Sequence, residues 1–394
     1  MSNRIMADHA ISERLSERVA RMRPSLIREV VEFGTGREGL IALWFGEGCW
    51  PTPTPIVERA RQALADGDHF YRPNAGTAAY REAVANYHQR VYGTTFAAAN
   101  VLATGSGMQA LALIAQALVT PGDEVVIVEP VWPNLPETMK LTGATPVLVG
   151  LDAKDGRWRL DLDRLIDAIG PKTKAVLVNT PNNPTGWTMA ANELAALVAE
   201  CGRRGVWLVT DDVYSRLTYG HDHAPFALEL GAGADHLISV NSFSKAWCMT
   251  GWRLGWILAP ASLITKLESL TEYNISCLPG FTQSGGVVAL DEGEVFIVEL
   301  KSRLAAARDL VAERLKAMPR VRFVPPDGAF YAFFSVEGMA DSLEAARRLV
   351  RETGVGLAPG RAFGRSGEGF LRLCFAQEPE TLVEALDRLE AFLA

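Results

Sequence analysis

The chain has 394 residues, 48% of them hydrophobic and 22% charged, an ordinary globular composition in a length that outgrows one core and implies two domains. Its formal net charge of −7 argues against nucleic acid or an anionic membrane as a main partner and leaves the charge of any pocket open. Five scattered cysteines (Cys49, Cys201, Cys248, Cys277, Cys374) form no CxxC pair, which argues against a disulfide framework or a zinc site and fits a reducing cytoplasm.

The first 25 residues are charged and lack the apolar segment of a secretory signal. No apolar run reaches the roughly 20 residues that span a bilayer. From about residue 100, short runs rich in Val, Ile and Leu alternate with amphipathic stretches. The runs are 101–105, 124–130, 144–151, 174–181, 206–212, 237–243 and 254–260. They do not alternate with polar residues, so they read as strands buried on both faces. Helical patterns cover 108–119, 164–170 and 193–204 between them. The expected architecture is α/β: a mainly parallel seven-stranded sheet covered by helices. His221-Asp222-His223 reads as a solvated turn. After residue 290 the pattern changes. A long helix is expected over 294–317, short strands near 321–336 and 370–375, and helices at 341–353 and 379–393. This predicts a large domain over 46–290 and a smaller α+β domain from 1–45 and 291–394.

In parallel sheets ligands bind beyond the carboxyl ends of strands. The run at 101–105 is followed by Ser106, Gly107 and Met108 at a helix start, where free backbone N–H groups make an anion site. Gly105-x-Gly107 also fits a dinucleotide fingerprint, with Glu129 at about the right distance for its acidic partner. That leaves a nucleotide-dependent dehydrogenase open. Trp132 follows the next strand and could stack on a flat ring or pack in the core. Asn182 to Gly186 is a turn that can present an amide. Asp211 ends a further run with no cation in its motif, and Tyr214 follows it. Asp212 points to the other face, unless both aspartates cap a helix. Arg372 interrupts an apolar strand; a buried arginine needs an anion, either a ligand carboxylate or a protein one.

Ser242 to Gly255 reads SFSKAWCMTGWRLG. The Lys245 amine can form a Schiff base with an aldehyde, and Ser242 and Arg253 can hold a phosphate. Pyridoxal phosphate carries both groups on one ring.

Nine stretches in order, LWFGEGCWPTP, FYRPNAGTAAYREA, TGSGMQAL, EPVWPN, NTPNNPTG, DDVY, SFSKAWCMTGWRLG, PGFTQSGG and FLRLCFA, together resemble the class I/II aminotransferases related to aspartate aminotransferase. The resemblance implies that fold and a pyridoxal phosphate cofactor. Lys245 would form the internal aldimine and act as the base. Asp211 would pair with the ring nitrogen, Tyr214 and Asn183 would contact the ring hydroxyl, and Trp132 would stack on the ring. Ser106, Gly107, Met108, Ser242 and Arg253 would hold the phosphate. Tyr71 would reach the cofactor of a partner subunit in a homodimer. Arg372, with the Gly46 backbone, would bind the substrate carboxylate. The reaction would move an amino group between an L-amino acid and a 2-oxo acid in the cytoplasm. A pyridoxal phosphate lyase on the same fold is the alternative. Met108 stands where a lysine often meets a distal carboxylate, and Cys49-Trp50 replace the usual Asp-Phe. These departures point to an apolar, aromatic or broad preference rather than a strictly acidic one.

Overall fold

The computed structural model describes residues 14–393; residues 1–13, assigned above to the small domain, lie outside it. The first helix that contributes to the site is α1 (Leu26–Gly34). The seven apolar runs form seven strands: β1 (Val101–Thr104), β2 (Glu124–Glu129), β3 (Thr145–Gly150), β4 (Thr173–Asn179), β5 (Trp207–Asp211), β6 (Leu237–Ser242) and β7 (Gly255–Leu258). They make one sheet in the order β1-β7-β6-β5-β4-β2-β3. Strands β2 to β6 pair in parallel, and β7 runs antiparallel to both β6 and β1.

Successive residues of a strand face opposite sides, so each run feeds two cores. Val125 and Ile127 pack with Leu111 and Ile114 of α2 (Gly107–Leu118) on one face. Val126 and Val128 enter the core on the other. One expectation fails here. Strand β3 is not buried on both faces, and Leu148 is 39% exposed. It is an edge strand, paired to β2 alone, and its apolar residues reflect β propensity more than burial.

The antiparallel strand β7 has a direct consequence. Chain leaving β6 at Ser242 returns at Gly255, its register partner, which also pairs with Thr104 at the end of β1. The loop between them is therefore held at the carboxyl end of the sheet. The strand order also removes the dinucleotide reading. Four strands separate β1 from β2, so Glu129 is nowhere beside Gly105-x-Gly107, as that fingerprint requires.

Beyond the large sheet, α3 (Glu294–Ala317) leads to four strands, β8 (Val321–Phe323), β9 (Tyr331–Val336), β10 (Ala358–Pro359) and β11 (Phe370–Cys374). These pair antiparallel in the order β8-β9-β11-β10. Helices α4 (Ser342–Thr353) and α5 (Pro379–Leu393) complete the layer. The Asp341 carboxylate caps α4, accepting from the Leu343 and Glu344 N–H groups at 3.0 Å. The turn after β4 touches this second unit: Gly186 O accepts from the N–H groups of Asp327 (3.0 Å) and Gly328 (2.9 Å). Among the described residues no helix is long and apolar enough to cross a membrane.

Candidate active site

A cavity of about 640 Å³ opens at the carboxyl ends of the central strands. Its lining includes Gly46, Ser106, Gly107, Met108, Trp132, Asn183, Asp211, Tyr214, Ser242, Lys245, Arg253 and Arg372. Twelve of the thirteen residues expected from sequence thus meet in one space. The thirteenth, Tyr71, lies outside the lining and is 90% exposed.

One end of the cavity gathers groups able to hold an anion. Ser106 sits at φ 117°, a conformation that non-glycine residues rarely adopt, and its Oγ accepts from the Gln109 N–H at 3.4 Å. The first N–H groups of α2 point past it, without partners inside the helix. Ser242 Oγ lies 2.8 Å from Ser244 Oγ and donates to Leu254 O at 3.1 Å. Arg253 is in the left-handed region at φ 52° and is held by its Nη1 donating to Thr250 O at 2.6 Å.

Lys245 rises from the floor of the cavity, and its Nζ donates to Gly46 O. Burial pushes its pKa down to about 8; Cys374 opposes this, and Arg372 and Arg253 add to it. Desolvation is thus the main cause, and the Arg253 charge a minor one. Asp211 is buried, and burial raises its carboxyl to about 7, against one N–H donor from Val213. Asp212 turns the other way and accepts from the hydroxyls of Thr210 (2.7 Å) and Ser239 (2.5 Å). Neither aspartate caps a helix, because the chain after β5 forms turns.

Arg372 is 2% exposed, between the rings of Tyr331 (4.6 Å) and Phe363 (4.8 Å). Its Nη1 donates to Asn183 Oδ1 at 3.0 Å and its Nη2 to Trp44 O. Its Nε has no partner. Among the described residues no Asp or Glu pairs with it, so the protein-carboxylate alternative fails. Tyr214 Oη is 2.6 Å from Tyr331 Oη, and burial keeps this phenol well above its ordinary pKa.

Sequence reasoning missed Tyr331, Asn179, Ser244, Trp44, Phe45, Glu47 and Arg28, which also line the cavity. Tyr331 lies inside an apolar strand and carries no local mark. Ser244 was within the quoted motif and could have been taken from it. Trp50, read as bearing on substrate choice, is not in the lining; its buried ring lies under Arg303 at 5.8 Å. Met108 is in the lining, its Sδ accepting from Asn134 Nδ2 at 3.4 Å. Among the described residues no group of His, Cys, Asp and Glu could hold a metal ion.

These residues fit pyridoxal phosphate. The strained Ser106 and the N–H groups of α2 suit its phosphate. A buried carboxylate without a cation suits a protonated ring nitrogen, and a buried lysine of lowered pKa suits its aldehyde.

Comparison with known proteins agrees. The model of the family "aminotransferase class I and II" matches residues 41–389. The chain is 35% identical over 384 residues to an aspartate aminotransferase of Pyrococcus horikoshii, covering 96% of this chain and 97% of the other. It is 33% identical over 384 residues to the aromatic-amino-acid aminotransferase 2 of Thermococcus litoralis, with coverage of 96% and 98%. Its fold matches that of the aspartate aminotransferase of Thermus thermophilus solved with maleate, at TM-score 0.91 and 34% identity, over 96% and 99% of the two chains. These relatives are named as aminotransferases, which does not favour the lyase alternative. The chain belongs to the class I and II aminotransferases, enzymes that use pyridoxal phosphate to move an amino group between an amino acid and a 2-oxo acid.

Proposed function

We propose that this cavity transaminates L-amino acids with apolar or aromatic side chains, with Lys245 as the catalytic base. The observation that carries the reading is the meeting of Lys245, Asp211 and a buried Arg372 without a carboxylate of its own in one cavity. Pyridoxal phosphate, when bound, supplies the electron sink that makes the substrate Cα–H acidic. Lys245 Nζ would hold the cofactor at its aldehyde and would carry the proton from the substrate Cα. Its lowered pKa leaves a useful neutral fraction near pH 8. Asp211 balances the charge of the ring nitrogen. Tyr214 and the free amide N–H groups of Asn183 orient the ring hydroxyl, and Trp132 covers the ring face. Backbone groups of Ser106, Gly107 and Met108, with Ser242 and Arg253, hold the phosphate. Arg372 and the Gly46 backbone take the substrate α-carboxylate. Met108 and Trp132 give the side chain of the substrate an apolar wall in place of a cation.

We further read the active form as a cytoplasmic homodimer. Phe70, Tyr71 and Tyr273 are 74%, 90% and 89% exposed. Large aromatic surface of this kind favours cover by a second copy, and Tyr71 would then serve the partner's site. The domain division is taken as 46–290 against 1–45 and 291–394.

The test follows the absorbance of the yellow enzyme mixed with single amino acids. Loss of the yellow band with one equivalent of 2-oxo acid and no ammonia, for leucine, methionine and phenylalanine, is the expected result. Ammonia release would point to a lyase. A kcat/KM panel confined to aspartate and glutamate would overturn the apolar preference.

A further inference from the structure

A second cavity, of about 480 Å³, shares no lining residue with the one that holds Lys245. One wall is a hairpin that follows β3, in which Asp152–Lys154 pairs with Arg157–Arg159. Asp155 (φ 53°) and Gly156 (φ 70°) are both left-handed, which makes the tight two-residue turn that suits the twist of paired strands. Side chains alternate along the hairpin. Arg157 and Arg159 are exposed, and Trp158 between them is 7% exposed. The centre of the Trp158 ring lies 5.7 Å from that of Phe370 on β11 and 6.0 Å from that of Phe333 on β9. Phe333 and Phe370 stack on each other, with centres 4.8 Å apart and planes 10° apart. Three rings from the hairpin and the four-stranded sheet thus meet in one seam, and Val321, Phe323 and Val324 extend the apolar surface.

The rim has one sign of charge. Lys316 stands in the last turn of α3 and Arg322 on β8, and both line the cavity. The lining holds no carboxylate. Both cations are exposed, and among the described residues neither forms an ion pair or a side-chain hydrogen bond. Glu313, one turn before Lys316, and Asp155, at the hairpin tip, make no ion pair with either. Ser335, half-buried on β9, adds a hydroxyl to the lining. The Trp158 Nε1 is buried with no partner among the described residues, a contact that buried indoles usually complete.

We propose that this seam is a second ligand site, for a small aromatic carboxylate that carries no amino group. The rings would take its flat apolar body. Lys316 and Arg322 would take its carboxylate, beside the Ser335 hydroxyl. The volume falls within the roughly 300–1,000 Å³ of small-molecule sites. A bare anion such as acetate leaves the rings unused, and an uncharged ring leaves both cations unpaired. An ammonium group meets two like charges and no carboxylate, so an aromatic amino acid is disfavoured against an aromatic acid without the amine. No residue of the Lys245 cavity enters the assignment, so it stands apart from the proposed substrate preference. A ligand here touches the hairpin and the four-stranded sheet at once, and its binding stabilises the fold by mass action.

The experiment compares the natural enzyme with the double variant Lys316→Gln, Arg322→Gln, both loaded with cofactor. Titration calorimetry with phenylacetate, up to about 10 mM, counts and weighs the sites. The natural enzyme should show one site per chain that the double variant weakens by at least about 10-fold. Any phenylacetate that competes with leucine in the Lys245 cavity should do so equally in both proteins, and both should transaminate at the same rate. The melting temperature should rise with phenylacetate more in the natural enzyme than in the variant. Acetate and phenethylamine should each bind the rim-dependent site about 10-fold more weakly, or worse. Identical phenylacetate isotherms in the two proteins, or acetate binding as tightly as phenylacetate, overturns the proposal. Because the readout is binding, a failure of the substrate reading would show in the amino-acid assays and leave these isotherms unchanged.

Discussion

At the scale of single residues, the site is built by burying charge and withholding its partner. Asp211 ordinarily titrates at 3.8 and in the fold at about 7. Between these values the folded chain holds a proton that the unfolded chain releases. The cofactor-free fold therefore loses stability as pH rises from about 4 to about 7, and the full penalty applies above that. Asp211→Asn should raise the melting temperature of the cofactor-free chain at pH 8 by roughly a few degrees, while the loaded enzyme loses turnover. Calorimetry giving no rise at pH 8 would contradict this account. Lys245 has the opposite requirement. Its amine must be neutral to attack an aldehyde, and burial places its pKa at about 8. The rate at which the cofactor-free chain turns yellow on adding pyridoxal phosphate should climb through pH 8 and then level, as read by stopped-flow absorbance. Lys245→Ala should still hold the cofactor through Asp211 and the phosphate cradle, and lose turnover by at least about 10²- to 10⁴-fold. Steady-state rates beside a cofactor titration separate the two effects.

At the scale of elements, the turn at 182–186 does two jobs. It presents Asn183 to the cavity, and its last residue seats the loop before β9. Gly186 has φ 69°, and a Cβ there would lie 2.2 Å from Pro326 Cβ and 2.6 Å from Gly328 O. Neither neighbour is a flexible tip. Gly186→Ala should destabilise by roughly 2–4 kcal/mol through strain and clash, seen as a lower denaturation midpoint in urea at unchanged slope. The same level explains what sequence could tell. Strands buried on both faces appear as continuous apolar runs, so β1, β2 and β4 to β7 were legible together with the residues at their ends. Edge strand β3 has the same composition without the burial, and composition alone cannot separate the two. Tyr331 and Phe363, whose rings flank Arg372, look like any core aromatics; the register of β9 against β11 brings the first to it, and the short turn at Gly360–Phe363 the second. Arg28 was illegible for another reason. An amphipathic helix declares that one face packs, not where it docks.

At the scale of the whole molecule, the proposed homodimer makes a prediction that no single chain can satisfy. Lys245→Ala chains keep an intact Tyr71, and Tyr71→Ala chains keep an intact Lys245. If Tyr71 serves the partner's site, exchanging subunits between the two impaired variants should restore about a quarter of the natural site count, by random pairing into dimers with one whole site in half of them. No gain over the separate variants after exchange, with dimers verified by sedimentation, would show that Tyr71 acts in its own chain. Dilution that dissociates the same assembly should expose these aromatic rings and lower activity together.

The strand order carries one more consequence. Every proposed contact from a chain to its own cofactor falls between Ser106 and Arg253, whereas Arg372 lies on β11, the last strand of the second sheet. Protein synthesis runs from amino to carboxyl end. A nascent chain therefore has the residues proposed for the phosphate, the ring nitrogen and the aldehyde outside the ribosome well before it has Arg372. On these assignments the order of synthesis sets the residues for the cofactor ahead of the arginine for the substrate.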